Sequence, residues 1–479
     1  MLRTSSVVKR NPLELLSTAM TRAAFPGVER GSGDLMTDPS ATWLWNERCA
    51  VIQDYPQARR ARASDIIALP MKQLVFPLLF LPAVIAQSLP MASHPEDAGF
   101  SAKRLEMTRG VLKADVDAKR FPGAVLLIAR NGKIVFYDAL GYQDRASETP
   151  MKKDSIFRVA SMSKPITTVG AMILAEENKL DVGAPVAQYL PEFKDVKVGP
   201  EGAPPKRPMT VQDLMRHTSG LTYGLFGNSP VDQMYRRANI FTSKSLAEMV
   251  KTIAGMPLLH QPGEYWEYSV STDVLGRVVE VASGMDLDSF VRERVTGPLK
   301  MKDTGFWVKP PAVSRLAKPD GPPNALFEDP TQKPNVFSGG GGMLSSAADY
   351  ARFCQMLLNG GELDGVRVLA PKTIALMTSD QLPATVERHT PVALALGPFG
   401  PVPEMGTSFG LGFAIRVDAG RNPMPGSIGD FSWGGITGPL FWVDPQAKLL
   451  AVLMVQSPQA MLNVIWRQTR TMVYQAMTN

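Results

Sequence analysis

Ser161 and Lys164 lie three residues apart, a spacing that could join a nucleophilic hydroxyl to its base. A Ser-x-x-Lys match is short enough to arise by chance in 479 residues, so its surroundings have to support it. Apolar side chains at Ile166, Val169 and Ile173 predict a helix that begins at this pair. Free N–H groups and the positive dipole end of such a helix would stabilise an oxyanion and favour a neutral, basic amine. The alternative is that Ser161 only caps the helix and Lys164 is a solvated first-turn residue.

Two further stretches could complete such a site. Tyr268 precedes a helix predicted to begin near Ser271, and a phenol beside a lysine can relay its proton. The alternative for Tyr268 is a place in the core with its aromatic neighbours. The stretch FSWGGITG at 431–438 contains Gly434 and Gly435, and paired glycines in a strand permit close approach of a backbone or a substrate. A bulge or tight strand packing would also explain them.

Strand signals at both ends of the chain surround a helical middle. Two apolar runs at 123–130 and 133–141, joined by Asn131-Gly132, predict a β-hairpin. A helix is expected at 102–118, and Ser345 or Ser346 is expected to cap the helix that follows a glycine run. Further strands are predicted within 409–417, 431–445 and 449–456, followed by a last helix at 461–478.

These elements predict an α+β fold, with an antiparallel sheet built from N- and C-terminal segments, flanked by helices, and a mainly α lobe inserted. The expected catalytic region spans 87–479, with its α/β part at 87–208 and 336–479. The helical lobe is expected at 209–335, where apolar residues recur at helical spacing. A catalytic cleft commonly forms at such a junction.

The first 86 residues do not look like part of this fold. Residues 71–86 combine a Met, one Lys, a short apolar run and small residues near its end, which is typical of a secretory signal peptide. The run is too short to span a membrane. An apolar core segment or a membrane-surface anchor is the alternative. We expect residues 1–70 to be disordered or upstream of the true start. The mature protein is expected to be periplasmic or secreted if residues 71–86 act as a signal peptide, and cytoplasmic otherwise.

Composition excludes several classes of function. The net charge is +6, but the basic residues are scattered, so no nucleic-acid partner is expected. The two cysteines, Cys49 and Cys354, form no redox or zinc framework, and Cys354 fits a buried helix position. The four histidines are far apart, and none has a ligand spacing. The sequence therefore implies no metal and no cofactor, and it leaves the oligomeric state open.

Several of these stretches occur in one order and spacing: SMSK at 161–164, LMRHTSGL at 214–221, the Tyr268 stretch at 261–280, GGGGMLSSAADYARF at 339–353 and WGG at 433–435. Together they resemble the serine β-lactamase and penicillin-binding-protein superfamily. The similarity is to its branch of class C β-lactamases, D-alanyl-D-alanine carboxypeptidases and family VIII carboxylesterases. It covers the chain from about residue 97 to the C-terminus.

The resemblance implies a role for each matched residue. Ser161 corresponds to the acylated nucleophile, Lys164 to its basic partner, and Tyr268 to the tyrosine that exchanges protons with serine and leaving group. The backbone N–H groups of Ser161 and Ile436 would form the oxyanion hole. Trp433, followed by Gly434 and Gly435 as substrate-binding positions, falls where lactamases have Lys-Thr-Gly.

Two departures from the lactamase pattern bear on the substrate. Val270 stands where lactamases and peptidases have the Asn of Tyr-x-Asn, and Trp433 replaces the lysine that would pair with a carboxylate. Both changes favour small-molecule, uncharged esters over carboxylated lactams. The predicted function is a serine carboxylesterase that acts on short-chain esters, with weak β-lactam hydrolysis at most. Four aromatic or apolar residues are candidates for lining the acyl or alcohol pocket: Tyr223, Leu225, Phe226 and Phe399. The alternative for each is ordinary packing in the core or in a lid.

The alternatives are a β-lactamase, a D-amino-acid peptidase or an acyltransferase of the same superfamily. A non-catalytic penicillin-binding-like protein is disfavoured, because the three chemical residues are intact. A Ser-His-Asp hydrolase is disfavoured too, since no G-x-S-x-G elbow is found. His217 is therefore predicted to be structural.

Overall fold

The computed structural model of the chain describes residues 89–320, 328–456 and 462–479. The predicted signal peptide at 71–86, the segment 1–70 and Cys49 lie outside these residues, so the predictions made for them stay predictions. Cys354 is described as a buried free thiol, as its helical pattern indicated.

The main β-sheet has eight strands, and each pair of neighbours is antiparallel. Its order in space is β3-β2-β1-β12-β11-β10-β9-β8, so the N-terminal segment supplies three strands and the C-terminal segment five. This arrangement confirms the predicted α+β fold. The strands are β1 Gly123–Arg130, β2 Lys133–Asp144, β3 Thr149–Pro150, β4 Ile156–Arg158, β5 Leu344–Ser346, β6 Glu362–Leu363, β7 Val366–Arg367, β8 Thr407–Phe409, β9 Ala414–Arg416, β10 Phe431–Gly434, β11 Leu440–Asp444 and β12 Leu449–Val455; β4 pairs with β5, and β6 with β7.

The β1–β2 hairpin turns at the predicted dipeptide. Asn131 and Gly132 have φ angles of 53° and 76°, and positive φ at both central positions is what a two-residue hairpin turn of type I′ requires. The local sequence therefore determines the first strand pairing of the sheet.

Both faces of the sheet are buried, because successive residues of its central strands are apolar. In β1, Val125 and Leu127 belong to one hydrophobic cluster, while Leu126 and Ile128 belong to the cluster on the other face. The helices Ala102–Asp117 and Leu462–Gln475 contribute to the second cluster. The first cluster contains the helix that follows Ser161, so the candidate site is built on that face.

The helices of the described chain are α1 Ala102–Asp117, α2 Ser163–Glu176, α3 Val211–Met215, α4 Pro230–Ala238, α5 Leu246–Ala254, α6 Ser271–Ser283, α7 Leu287–Val291, α8 Ala347–Leu358, α9 Pro371–Met377, α10 Pro391–Leu396 and α11 Leu462–Gln475. Ser346 caps α8, with its side chain accepting a hydrogen bond from the backbone N–H of Asp349. Five helices, α3 to α7, fall within 209–335, where helices were predicted. All described residues belong to one compact unit, so the proposed boundaries of a separate lobe stay a prediction.

The stretch 409–417 differs from the single strand predicted there. It contains the end of β8 and all of β9, which are separated by a turn at 410–413. A side chain at Gly410 would meet the carbonyl oxygen of Met377 at 2.2 Å, and Gly412 has a φ of 90°. The two glycines therefore bend the chain where an uninterrupted strand was expected. Among the described helices, none is long and apolar enough to cross a membrane.

Candidate active site

Ser161 lies on a sharp turn that connects β4 to α2. The turn is a short 3-10 helix, Ala160–Met162, and α2 itself begins at Ser163. Ala160 adopts a φ of 45°, a left-handed conformation that costs a non-glycine residue about 1 kcal/mol or more. Ser161 therefore stands just before the helix rather than in its first turn, and in the described chain its Oγ pairs with Lys164 Nζ rather than with a backbone N–H of α2.

Lys164 is buried behind Ser161 and is not a solvated surface residue. Its side chain is 1% exposed, which excludes the alternative considered from the sequence. The Nζ atom donates to Ser161 Oγ at 3.3 Å, to Tyr223 Oη at 2.9 Å and to the carbonyl oxygen of Gly340 at 2.6 Å. These three acceptors hold the amine beside the hydroxyl that it is predicted to activate.

The glycine run before α8 forms one wall around Lys164. A side chain at Gly340 would meet Asp273 Oδ2 at 2.5 Å, and one at Gly339 would meet the carbonyl oxygen of Thr272 at 2.8 Å, so both positions need glycine. Asp273 is fully buried, and its Oδ1 accepts from the N–H of Gly340 at 3.1 Å and from Ser338 Oγ. Burial raises the pKa of Asp273, while the charge of Lys164 opposes that shift.

Tyr268 lies on the other side of the amine, as predicted, but presents its ring rather than its hydroxyl. Lys164 Nζ is 4.6 Å from the centroid of the Tyr268 ring, a cation–π distance. Among the described residues, the Tyr268 hydroxyl has no hydrogen-bond partner. Tyr268 is a lining residue of the cavity above Ser161, although its hydroxyl oxygen is itself buried.

The end of β10 approaches the Ser161 turn through the predicted pair of glycines. A side chain at Gly435 would meet the carbonyl oxygen of Val159 at 2.4 Å, and one at Gly434 would meet the Trp466 ring at 2.5 Å. The sequence predicted that a backbone or a substrate comes close to these glycines; in the structure Gly435 lies against the Val159 backbone and Gly434 against the Trp466 ring. Within the described chain the N–H of Ile436 donates no hydrogen bond, and Ile436 and Ser161 line the same cavity. This arrangement suits the oxyanion hole predicted for these two residues.

Above Ser161 lies a cavity of about 190 Å³. Most of its walls are apolar, and Trp433 is on one side of it. The charged side chains in the lining belong to Arg158, Glu328 and Asp329, and the two acids act electrostatically on Arg158. The lining residues are Arg158, Ala160, Ser161, Tyr223, Leu225, Phe226, Phe241, Tyr268, Phe306, Glu328, Asp329, Pro330, Pro334, Val336, Ser338, Gly340, Gly341, Gly342, Val392, Ala395, Leu396, Trp433, Gly434, Ile436 and Trp466.

Three residues predicted for the pocket are not in its described lining. Val270 is fully buried at the start of α6, so its side chain faces the core rather than a substrate. Phe399 packs edge-on against Trp466 in the cluster on the opposite sheet face, 5.0 Å between centroids. Gly435 supports the cavity from behind through its contact with the Val159 backbone. Tyr223, Leu225 and Phe226 do line the cavity.

His217 packs behind Tyr268, with 4.8 Å between the two ring centroids. It is 1% exposed, and burial lowers its pKa well below the ordinary range, with the charge of Lys164 acting in the same direction. A neutral, buried imidazole outside the cavity lining fits the structural role predicted for it.

Asp213 anchors the turn that contains His217. It is fully buried and accepts hydrogen bonds from Arg207, Arg216 and Thr218, the last at 2.7 Å. Burial alone would raise the pKa of Asp213, but the bonds from Arg207, Thr210 and Thr218 outweigh it and bring the pKa to about 2.

We expect acid to weaken the fold through Asp213. Because its folded pKa of about 2 is below the ordinary 3.8, its contribution to stability is present above pH 4 and lost as the pH falls towards 2. The shift corresponds to about 2 kcal/mol. Urea unfolding of the wild type and Asp213→Asn at pH 6 and pH 2.5 measures it: the difference in unfolding free energy should shrink at low pH. An equal difference at both pH values would contradict this assignment.

Sequence reasoning missed two members of the cluster around Lys164. Tyr223 was predicted as a pocket residue, but its hydroxyl is also a hydrogen-bond partner of the amine. The glycine run at 339–342 belongs to the stretches that carry the resemblance, but its pattern does not predict that the Gly340 carbonyl accepts a hydrogen bond from Lys164. Among the described residues, no cluster of three or more potential metal ligands was found.

Comparison with known proteins gives relatives over most of the chain. A family profile described as Beta-lactamase matches residues 108–470. Protein Rv1367c of Mycobacterium tuberculosis is 34% identical over 369 residues, which is 74% of this chain and 90% of that protein. Esterase EstB of Burkholderia gladioli is 31% identical over 401 residues, 78% of this chain and 94% of EstB. The solved structure of EstCE1, described as a hydrolase with promiscuous acyltransferase activity, superposes with a TM-score of 0.66 at 30% identity and covers 78% of this chain and 98% of its own.

Proposed function

The chain belongs to the beta-lactamase family and is a serine hydrolase, and we propose that it hydrolyses short-chain, uncharged carboxylic esters through an acyl-enzyme on Ser161. The observation that carries this proposal is the cavity above Ser161. It is largely apolar, and Trp433 stands where lactamases of this superfamily have a cationic lysine. A substrate carboxylate would meet the acids Glu328 and Asp329 there, beside a single arginine.

The size of the cavity supports small substrates. Its volume of about 190 Å³ is below the ~300–1,000 Å³ of pockets that enclose drug-sized ligands. Esterase EstB, at 31% identity, supports an ester substrate, and EstCE1, described as a hydrolase with acyltransferase activity, supports an acyl-transfer reaction.

In the reactive form Lys164 is neutral: its two N–H groups stay on Tyr223 Oη and Gly340 O, and its lone pair faces Ser161 Oγ, 3.3 Å away. In the proposed first half-reaction, Ser161 Oγ attacks the ester carbonyl carbon and its proton passes to that lone pair. The N–H groups of Ser161 and Ile436 bind the oxyanion of the tetrahedral intermediate. When the carbon–oxygen bond to the alcohol breaks, that alcohol takes a proton from Lys164. For the Tyr268 hydroxyl to relay this proton, it has to shift towards the amine, which now contacts the Tyr268 ring. An ester then joins the acyl group to Ser161.

The second half-reaction repeats these steps with water. A water molecule attacks the acyl carbonyl, its proton moves through Tyr268 to Lys164, and Ser161 leaves with a proton as the acid is released. An alcohol in place of water would give a new ester, and the description of EstCE1 favours this transfer as a side reaction.

Substrate preference tests the proposal. We expect kcat/KM to be highest for p-nitrophenyl acetate and butyrate, and about tenfold or more lower for the palmitate, because the long chain exceeds the cavity. A chromogenic cephalosporin should be turned over about 100-fold less efficiently than the butyrate, since Trp433 offers its carboxylate no charge and Arg158 lies beside the acids Glu328 and Asp329. Adding a short alcohol to the same assay tests whether the acyl group is transferred to an alcohol instead of water. The yield of the new ester measures this transfer.

Two outcomes would contradict the proposal. Cephalosporin turnover above ester turnover would identify a β-lactamase or peptidase of the same superfamily. Absence of turnover for all of these substrates, in protein with a cooperative thermal transition, would point to a non-catalytic relative.

A further inference from the structure

The amine of Lys164 lies between two tyrosines that contact it differently. The Tyr223 hydroxyl accepts a hydrogen bond from Nζ at 2.9 Å, whereas the Tyr268 hydroxyl has no partner in the described chain. Tyr268 instead places its ring 4.6 Å from Nζ, compared with 5.4 Å for the Tyr223 ring. Only one of the two phenols therefore fixes the direction in which the amine points.

That direction matters because a lysine side chain has four rotatable bonds. Within the described residues, Lys164 Nζ makes three hydrogen bonds. The bond to the carbonyl oxygen of Gly340, at 2.6 Å, is the shortest, and the bond to Ser161 Oγ, at 3.3 Å, is the longest. Without the Tyr223 oxygen, Nζ would keep one short bond and could rotate about it, away from Ser161. Misplacement of a reacting group by about 1 Å can cost about 10²-fold in rate.

The backbone around Tyr223 is itself held rigidly. The N–H of Gly224 donates to Thr222 Oγ1 at 2.9 Å, and Thr222 Oγ1 donates to the buried Asp232 at 3.0 Å. The Tyr223 ring stacks on Phe241, with centroids 6.5 Å apart and planes 23° apart. Burial raises the pKa of Tyr223 well above its ordinary value, so the hydroxyl keeps its proton and its oxygen remains an acceptor.

We propose that Tyr223 is a positioning residue: its hydroxyl oxygen holds the Lys164 amine against Ser161, a task that the Tyr268 hydroxyl, which makes no bond to the amine, does not perform. The inference rests on the proposed function, because it assigns a part of the same reaction. It adds a second tyrosine to a reaction in which the sequence assigned a role, proton exchange, to Tyr268 alone.

The ring and the hydroxyl of Tyr223 can be tested separately. Tyr223→Phe keeps the aromatic wall of the cavity and removes only the oxygen that Lys164 contacts. Tyr235→Phe is the matched control, because Tyr235 is a buried tyrosine whose hydroxyl has no hydrogen-bond partner in the described chain. We expect Tyr223→Phe to lower kcat for p-nitrophenyl butyrate about 10- to 100-fold with KM within twofold of wild type. Tyr235→Phe should match the wild type in both constants.

A second readout does not depend on ester turnover. The rate at which a fluorophosphonate probe labels Ser161, followed by intact mass, should fall in Tyr223→Phe by a similar factor. If the wild type hydrolyses no ester, the proposed function fails, yet this labelling rate still decides whether Tyr223 positions the lysine. An unchanged labelling rate and an unchanged kcat would overturn the inference while leaving the esterase intact.

The remaining outcomes are also decisive. A raised KM with unchanged kcat would make Tyr223 a substrate contact and overturn the positioning role. If the melting temperature of Tyr223→Phe falls by more than about 5 °C, kcat is also measured for Tyr223→Gln, because glutamine restores an acceptor without the ring. A higher kcat for Tyr223→Gln than for Tyr223→Phe supports the inference, and an equal or lower one overturns it.

Discussion

Ser161→Ala is expected to abolish ester hydrolysis, with kcat/KM reduced by a factor on the order of 10⁴ or more. Ser161 is the serine of the described cavity lining whose Oγ contacts the buried Lys164 amine, at 3.3 Å. Without it no acyl-enzyme can form, and the remaining donors can only polarise the carbonyl for a poorly placed water. Initial rates with p-nitrophenyl butyrate measure the loss, and thermal melting checks that the variant is folded.

Ser163 provides the control for which serine is acylated. It lies two residues away and is fully buried, and its Oγ donates to the carbonyl oxygen of Ala160 at 2.7 Å. A fluorophosphonate adduct should therefore appear on wild type and on Ser163→Ala, and be absent from Ser161→Ala. Ester turnover or labelling that survives in Ser161→Ala would rule out Ser161 as the nucleophile.

The parts of the fold that followed from sequence are those determined by near neighbours in the chain. The β1–β2 hairpin depends on the φ angles that Asn131 and Gly132 adopt readily, and the cap of α8 depends on Ser346 three residues before Asp349. Strand patterns occurred in both the N-terminal and the C-terminal segments, and this distribution was enough to predict a sheet built from the two segments. Where glycines interrupt a strand pattern, as at Gly410 and Gly412, the pattern alone did not show the turn.

The contacts between distant parts of the chain in the candidate site could not be predicted in the same way. Tyr223 and Gly340 are 59 and 176 residues from Lys164, and no local periodicity indicates that three such segments meet at one amine. For Gly434, at the end of β10, and Gly435, which follows it, the sequence predicted a close contact but did not identify the group that makes the contact. The carbonyl of Val159 could be identified only after β4, β10 and the Ser161 turn were placed together.

The two predicted departures from the lactamase pattern have different weight in the structure. Trp433 lines the cavity, so the loss of a cationic residue there changes what a substrate meets. Val270 faces the core, so an asparagine in its place would put an amide into an apolar environment unless the start of α6 shifted. The proposed preference for uncharged esters therefore rests on Trp433 and on the acids at the cavity wall rather than on Val270.

Lys164→Met should produce the second largest loss of activity, about 10³-fold in kcat. Methionine approximates the length of the lysine stem but cannot accept the Ser161 proton. The change also leaves the Gly340 carbonyl and the Tyr223 hydroxyl without their donor, so some loss of stability is expected as well. The kcat at saturating butyrate and the melting temperature separate the two effects.

Lys153→Met is the matched control for this change. Lys153 is exposed, and its amine lies 5.4 Å from the ring centroid of Tyr137, so it resembles Lys164 in contacting a tyrosine but is not in the cavity lining. Its replacement should leave kcat and KM unchanged. A loss of less than tenfold in Lys164→Met would mean that another group takes the Ser161 proton. Because Tyr268 lines the same cavity and its hydroxyl is unpartnered in the described chain, Tyr268→Phe would then be expected to cause the larger loss.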